Sequence, residues 1–288
     1  MWYHYLDTHL PYEAAPDLPK PPDPAAKARA ALVQTKPVIP RDLVRFEARD
    51  ENWLKPLYYN QFSTFDRWFG DFWRFVEESG LRERTIIVLT TDHGEELLER
   101  GLVGHASTTR SGPLYDEITR IPLIVWLPPS LRSGPQPDTI DTPSSHLDIM
   151  PTLFVRLGLK APPSLEGGDL FNLPKSPTWQ ALTSRAGFAE SDPARIERFA
   201  AARIEGDWKL HIDFTRPTTV TRTALYNLAD DPGERDNLAP SQAKRVARMI
   251  GRMMPDIVAM RVARPKDATP TDIVNATEPP RWLFPTAS

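Results

Sequence analysis

The segment Thr85–Glu96, TIIVLTTDHGEE, sets a carboxylate (Asp92) beside an imidazole (His93), followed at once by Gly94. A carboxylate oxygen and an imidazole nitrogen are both donors to divalent cations, and the glycine lets the backbone turn tightly next to them. The plainer reading of the same residues is an Asx-type helix cap at Asp92 with His93 on the surface. Position is compatible with the chemistry. Ile86, Ile87, Val88 and Leu89 form a short apolar run rich in β-branched residues, which reads as a strand buried on both faces of a sheet. The two donors then stand at its carboxyl end, where ligands sit in open α/β sheets. Asp230, Asp231 and Glu234 are acidic enough to suggest a second metal site.

The elements that would position these groups follow from periodicity. Trp2, Tyr3, Tyr5 and Leu6 read as a buried strand. Residues 11–24 are dense in proline and read as an extended surface loop, followed by a short helix at Ala25–Val33. Leu54, Tyr58, Phe62, Phe65, Phe69, Phe72 and Val76 recur in steps of three and four, an apolar stripe on a long helix that reads as core and ends at Gly80. Glu95 and Glu96 read as favourable charges at a helix start. A second buried strand is expected at Pro122–Leu127 and a helix at Leu147–Leu157, closed by Gly158. The Pro/Gly-rich stretch Ala161–Pro177 reads as a boundary. Strands at Phe199–Ile204, Trp208–Ile212 and Ala224–Leu228 and a helix at Ser241–Met260 then describe a small antiparallel α+β subdomain. Helix alternating with strand is an α/β rhythm.

Composition narrows the function. The chain has 288 residues, 40% of them hydrophobic, ample for a large core. A net charge of -3 gives no electrostatic footprint for nucleic acid. No apolar run approaches a membrane span, and no signal-peptide pattern is visible at Met1. The absence of cysteine excludes disulfides and thiolate-bound metals and does not fix a compartment.

Six segments occur in a telling order: HYLDTHLPY (His4–Tyr12), VLTTDHGEE (Val88–Glu96), PLYDEITRIPLIVWLP (Pro113–Pro128), SHLDIMPTLFVRLG (Ser145–Gly158), GDWKL (Gly206–Leu210) and ALYNLADDPGERDNLA (Ala224–Ala239). Together they resemble the sulfatase family of the alkaline-phosphatase superfamily, from His4 to about Ala239. The resemblance implies an alkaline-phosphatase-like α/β sandwich, with helices around a mostly parallel sheet and a small C-terminal antiparallel α+β subdomain. Residues 1–165 would be the C-terminal portion of the catalytic domain, 166–262 the subdomain and 263–288 an irregular tail. It implies that Asp92 and His93 bind a divalent cation, calcium being the family's usual ion, with manganese, magnesium or zinc left open by the imidazole. It implies that His9 contacts the sulfate and assists turnover as a donor or proton carrier. Arg110 or Ser111 falls nearest the family's sulfate-binding base, with His105 a second basic candidate; Arg110 could grip a sulfate bidentately. It makes Asp230, Asp231 and Glu234 a turn and helix cap.

The family also carries an N-terminal aspartate pair and a Cys or Ser oxidised to formylglycine, both before the His9 segment. Neither is present here, so the expectation is a hydrolase of sulfate esters whose nucleophile comes from a missing N-terminal segment, and which is inactive alone. Ser191-Asp192-Pro193-Ala194-Arg195 matches a serine-type nucleophile motif, but stands too late in the chain and reads as a turn. The expected partner is a sulfated small molecule or glycan. The rival readings are a phosphonate or phosphate ester hydrolase, or phosphoethanolamine-type transferase, of the same superfamily, and a non-catalytic remnant or anion-binding domain.

Overall fold

A computed structural model describes residues 1–37, 39, 44–105, 114–132, 137–173, 179–186, 198–215 and 219–262. Arg110, Ser111, the Ser191–Arg195 motif and the tail 263–288 lie outside the described residues. Residues 1–241 form one compact unit and residues 242–288 a second.

Helix α1 spans Pro24–Val33; Asp23 caps it by accepting from the Ala26 N–H, with Pro24 at the first helical position. Helix α2 spans Glu51–Glu78, and Gly80 beyond its end adopts a left-handed φ of 70°. Its first turns carry the core. Trp53, Leu54 and Leu57 are buried with Leu10 and Tyr12 from the proline-rich loop, Ala30 and Val33 from α1, and Leu97 and Val103 further on. Arg29 and Asp50 form a buried ion pair at 2.6 Å beneath this core. The rest of the aromatic stripe departs from expectation: Phe62 is exposed, and Phe65, Phe69 and Phe72 are half-buried in a ladder of ring contacts.

The expected strand at Trp2–Leu6 does not form. Trp2, Tyr3 and Leu6 are exposed and no strand is present there. Tyr3 instead stacks on Trp68 of α2 at 4.8 Å between ring centroids, and Tyr5 meets Phe65 edge-on at 4.9 Å. Ring contacts with the helix take the place of a strand ladder.

Strand β1 (Ile87–Thr90) is followed by the two-residue strands β2 (Glu96–Leu97) and β3 (Val103–Gly104), the one-turn helix α3 (Asp116–Thr119) and strand β4 (Leu123–Trp126). β1 pairs with β4 antiparallel, Val88 opposite Val125. All strand pairs among the described residues are antiparallel, which corrects the mostly parallel sheet expected. The reason lies in the connection: a parallel pair needs a crossover, commonly a helix, whereas a hairpin and a single helical turn bring this chain back. β1 is half-buried throughout, not buried on both faces, and Ile124 of β4 is exposed. Trp126 packs edge-on against Trp73 of α2 at 5.2 Å.

Helix α4 (Ile149–Arg156) follows the capped turn 145–148, in which buried Asp148 accepts from the Ser145 N–H at 2.7 Å. Strands β5 (Trp179–Ala186), β6 (Arg198–Glu205), β7 (Trp208–Thr215) and β8 (Thr219–Asn227) form a four-stranded antiparallel meander. β5 is an element the sequence reading does not contain. In the second unit, helix α5 (Ala243–Val262) buries Val246, Met249, Met253 and Ile257, spaced as one helical face.

Candidate functional site

Three imidazoles converge beyond the carboxyl end of β1. The His9 and His105 rings lie 4.9 Å apart, His93 and His105 4.5 Å, and His9 and His93 6.4 Å between centroids. Asp92 projects beside them, its side chain 73% exposed, with Oδ2 3.8 Å from His93 Nε2. Two rings are oriented by backbone carbonyls: His9 Nδ1 bonds to the Leu10 oxygen, and His93 Nδ1 to the Gly94 oxygen at 2.9 Å. A carbonyl only accepts, so each Nδ1 carries a proton and Nε2 is the nitrogen left to face the site. Glu95 stands behind, bonding His105 Nδ1 at 3.4 Å through Oε1 and accepting from the Tyr12 hydroxyl through Oε2. Burial, with the Glu95 charge next to it, holds the Tyr12 hydroxyl well above its ordinary pKa, so it remains a donor.

Local structure explains the convergence. The β2–β3 hairpin pairs Glu96 with Gly104, and one further step of that register sets Glu95 opposite His105. Leu97 and Val103 anchor the hairpin in the core. Leu10 and Tyr12 anchor the His9 loop in the same core, and the Tyr12 N–H donates to the Val33 carbonyl at 3.0 Å. Loop and hairpin meet at Gly104, where φ is 76° and an added Cβ would lie 2.7 Å from Leu10 Cδ1. Gly94 holds the Asp92–His93 turn: its N–H donates to the Ile118 carbonyl at 2.8 Å, and a Cβ there would fall 2.0 Å from the Glu117 carbonyl oxygen. His146 donates through Nε2 to the Thr91 carbonyl at 2.8 Å, fixing the strand end from the other side.

Beside α3 lies a second polar cluster, buried at Lys209, His211 and Glu234 and partly exposed at Asp116. Lys209 Nζ on β7 reaches Asp116 Oδ1 at 2.6 Å and Glu234 Oε2 at 3.1 Å. Glu234 also accepts from His211 Nε2 at 2.6 Å and from the Asp116 N–H at 2.6 Å. Burial pushes the His211 imidazole below its ordinary pKa, and nearby Lys209 adds to this against the pull of Glu234. Burial alone would raise the Glu234 carboxyl, but the hydrogen bond from His211 and the charge of Lys209 hold it low. Arg100, in the hairpin turn, bonds Glu96, Glu117 and the Gly233 carbonyl and lies 3.5 Å over the Tyr115 ring. The hairpin and α3 that frame the histidines are thus tied to the meander.

A family model described as Sulfatase matches residues 1–159, more than half of the chain. The chain belongs to the sulfatase family. Among curated sulfatases, the uncharacterized sulfatase YidJ of Escherichia coli (strain K12) is 30% identical over 164 residues, 54% of this chain and 28% of the relative. The ulvan-active sulfatase of Formosa agariphila is 28% identical over 173 residues, 60% of this chain and 31% of the relative. The arylsulfatase of Clostridium perfringens is 29% identical over 128 residues, 44% and 25%. The chain thus spans about a third or less of the length of these relatives. Among solved structures, BT4656 in complex with its substrate D-glucosamine-2-N,6-O-disulfate superposes with a TM-score of 0.53 at 18% identity, covering 84% of this chain and 47% of that one. Ps i-CgsB in complex with k-i-k-neocarrahexaose gives 0.50 at 19% identity, covering 80% and 52%. These likenesses show a shared α/β fold.

Of the sulfatase positions expected from sequence, His9, Asp92, His93 and His105 meet at one place, and Arg110 lies outside the described residues. Glu95 and Glu96 correct the expected helix start. Glu96 is a buried strand residue paired with Arg100, and Glu95 faces the histidines. The signal available for this was the glycine at 104, whose hairpin brings residue 95 to residue 105. Asp231 does make the expected turn, accepting from the Arg235 and Asp236 N–H groups at 2.8 Å. Glu234 closes that turn, its N–H donating to the Asp231 carbonyl at 3.1 Å, and its buried, ion-paired carboxylate caps α3 by accepting from the Asp116 N–H, from a left-handed φ of 51°.

Proposed function

We propose that this chain carries the cation and sulfate-binding part of a sulfuric ester hydrolase acting on sulfated sugars or other small sulfated molecules. The reading is supported by one observation above all: His9, His93 and His105 converge beside Asp92 at the end of β1, in a chain of the sulfatase family. Asp92 and His93 fit a divalent cation, since Oδ2 and Nε2 lie 3.8 Å apart with Asp92 open to solvent. Calcium is the ion proposed, bound weakly by these two donors, because a tight site needs about six to eight oxygens. When bound it would withdraw charge from the ester's oxygens. His9 and His105, with Arg110 as a third candidate, face the sulfate. When the ring carries a second proton, His9 Nε2 can donate it to the departing ester oxygen, while Nδ1, held on the Leu10 carbonyl, keeps the ring aimed. The substrate class follows relatives named for ulvan and solved with sulfated or carrageenan-type sugars.

The test measures sulfate release by the native gene product from an aryl sulfate and from sulfated monosaccharides, beside phosphate release from the matching phosphate ester. Sulfate release is expected, lowered on the order of 10²–10³-fold in Asp92→Ala and His9→Ala. Phosphate release without sulfate release, or an Asp92→Ala variant at full rate, overturns the reading.

A further inference from the structure

We propose that Glu95 is a positioning residue of the sulfate site: its carboxylate fixes the tautomer and angle of the His105 ring and joins the three segments that carry the histidines. Oε1 meets His105 Nδ1 at 3.4 Å, and Oε2 accepts from the Tyr12 hydroxyl. Tyr12 stands on the His9 loop, Glu95 closely follows His93, and His105 directly follows β3. One side chain therefore ties loop, turn and hairpin end together. The tie is anchored, because Tyr12 is 0% exposed and belongs to the core that holds Trp53 and Leu54. The consequence for turnover rests on the hydrolase reading above; the consequence for the His105 ring does not.

A carboxylate is an unexpected neighbour for a sulfate, since like charges repel. The bonding resolves this. Both Glu95 oxygens are engaged by donors and the side chain is 6% exposed, so its charge reaches the site through the His105 ring. A carboxylate only accepts, so His105 Nδ1 carries a proton and Nε2 is the nitrogen left for the sulfate. A free imidazole divides between two tautomers; the bond made by one nitrogen decides which is present. His9 and His93 take that bond from backbone carbonyls. At His105 a side chain does the same work, which makes this ring the one a point substitution can release. Glu96, next in sequence, cannot stand in for Glu95, because Arg100 holds it at 2.9 Å.

The test compares the native gene product with its Glu95→Gln, Tyr12→Phe and doubly substituted variants, with circular dichroism as the control for folding. Long-range proton–nitrogen correlation spectra, recorded without substrate at a pH where the rings are neutral, read the His105 tautomer directly. Wild type is expected to show the Nδ1–H form alone. Glu95→Gln, whose amide can donate as well as accept, should show the Nε2–H form beside it. In sulfate release, Glu95→Gln should lower kcat/KM on the order of 10–100-fold, the cost of a misplaced group. Tyr12→Phe should lower it less, and the double variant should lie within about twofold of Glu95→Gln, because the two residues act as a unit. A His105 ring that keeps a pure Nδ1–H form in Glu95→Gln overturns the proposal, as do losses that multiply in the double variant. If wild type releases no sulfate, the hydrolase reading falls and the His105 spectrum still decides the role of Glu95. Should Glu95→Gln misfold, Glu95→Asp, which keeps the charge one methylene short of His105, decides by the same spectrum.

Discussion

Two clusters of charged and imidazole side chains adjoin α3, and they differ in how far they are open to solvent. Around Lys209, the carboxylates of Asp116 and Glu234 are matched to an ammonium and an imidazole, and Lys209 and Glu234 side chains are 0% and 1% exposed. Around His93, the acceptors outnumber the donors and Asp92 stands in solvent. A buried, ion-paired cluster fixes structure; an open set of lone pairs at a strand end has capacity left for a ligand. The comparison separates stability from binding, and mutations should divide the same way.

The largest effect is expected at the buried cluster. Glu234→Ala leaves Lys209 charged, buried and short of a partner, and should cost about 3–5 kcal/mol in denaturant unfolding. Asp92→Ala, at an exposed site, should change stability within about 0.5 kcal/mol. Similar losses for both would erase the distinction drawn here.

Acid should act through the same cluster. His211 is held below its ordinary pKa of 6.5 and Glu234 below 4.5, so for both the unfolded chain binds more protons than the folded one. Their contribution is complete above the unfolded values and is lost as pH falls toward the folded ones. Melting temperature should decline below about pH 6.5 and again below about 4.5. In Lys209→Met/His211→Phe/Glu234→Leu, where the titrating groups are gone, the decline should be shallower; an unchanged profile would place the acid sensitivity elsewhere.

A smaller and more local effect is expected where the open cluster meets its scaffold. Gly104→Ala adds a methyl at 2.7 Å from Leu10 Cδ1 on a left-handed backbone. It should cost about 1–3 kcal/mol and push the His9 loop from His105. Stability loss without any loss of sulfate release would show that Leu10 does not set the spacing of the two rings.

Much of this was legible from particular residues. The steps of three and four from Leu54 to Val76 describe α2, and DHG at the end of an apolar run locates the strand end. Other parts were hidden for physical reasons. Trp2–Leu6 has a strand's composition, but rings satisfy themselves equally on a helix. β2 and β3 have two residues each, too few for any periodicity. Alternation in β7 shows that Lys209 and His211 share a face, and a reader assigns charged residues to solvent. Only tertiary structure supplies the carboxylates of Asp116 and Glu234 that permit their burial.

The central claim is that the His9, His93 and His105 cluster takes ligands while the His211 cluster does not. Long-range proton–nitrogen correlation spectra of the imidazoles, recorded while calcium and then inorganic sulfate are added, test it with one probe per ring. The account predicts that His9, His93 and His105 shift together and that His211 stays fixed. Movement confined to His4 and His146, or a shift of His211 with the three others still, would contradict it.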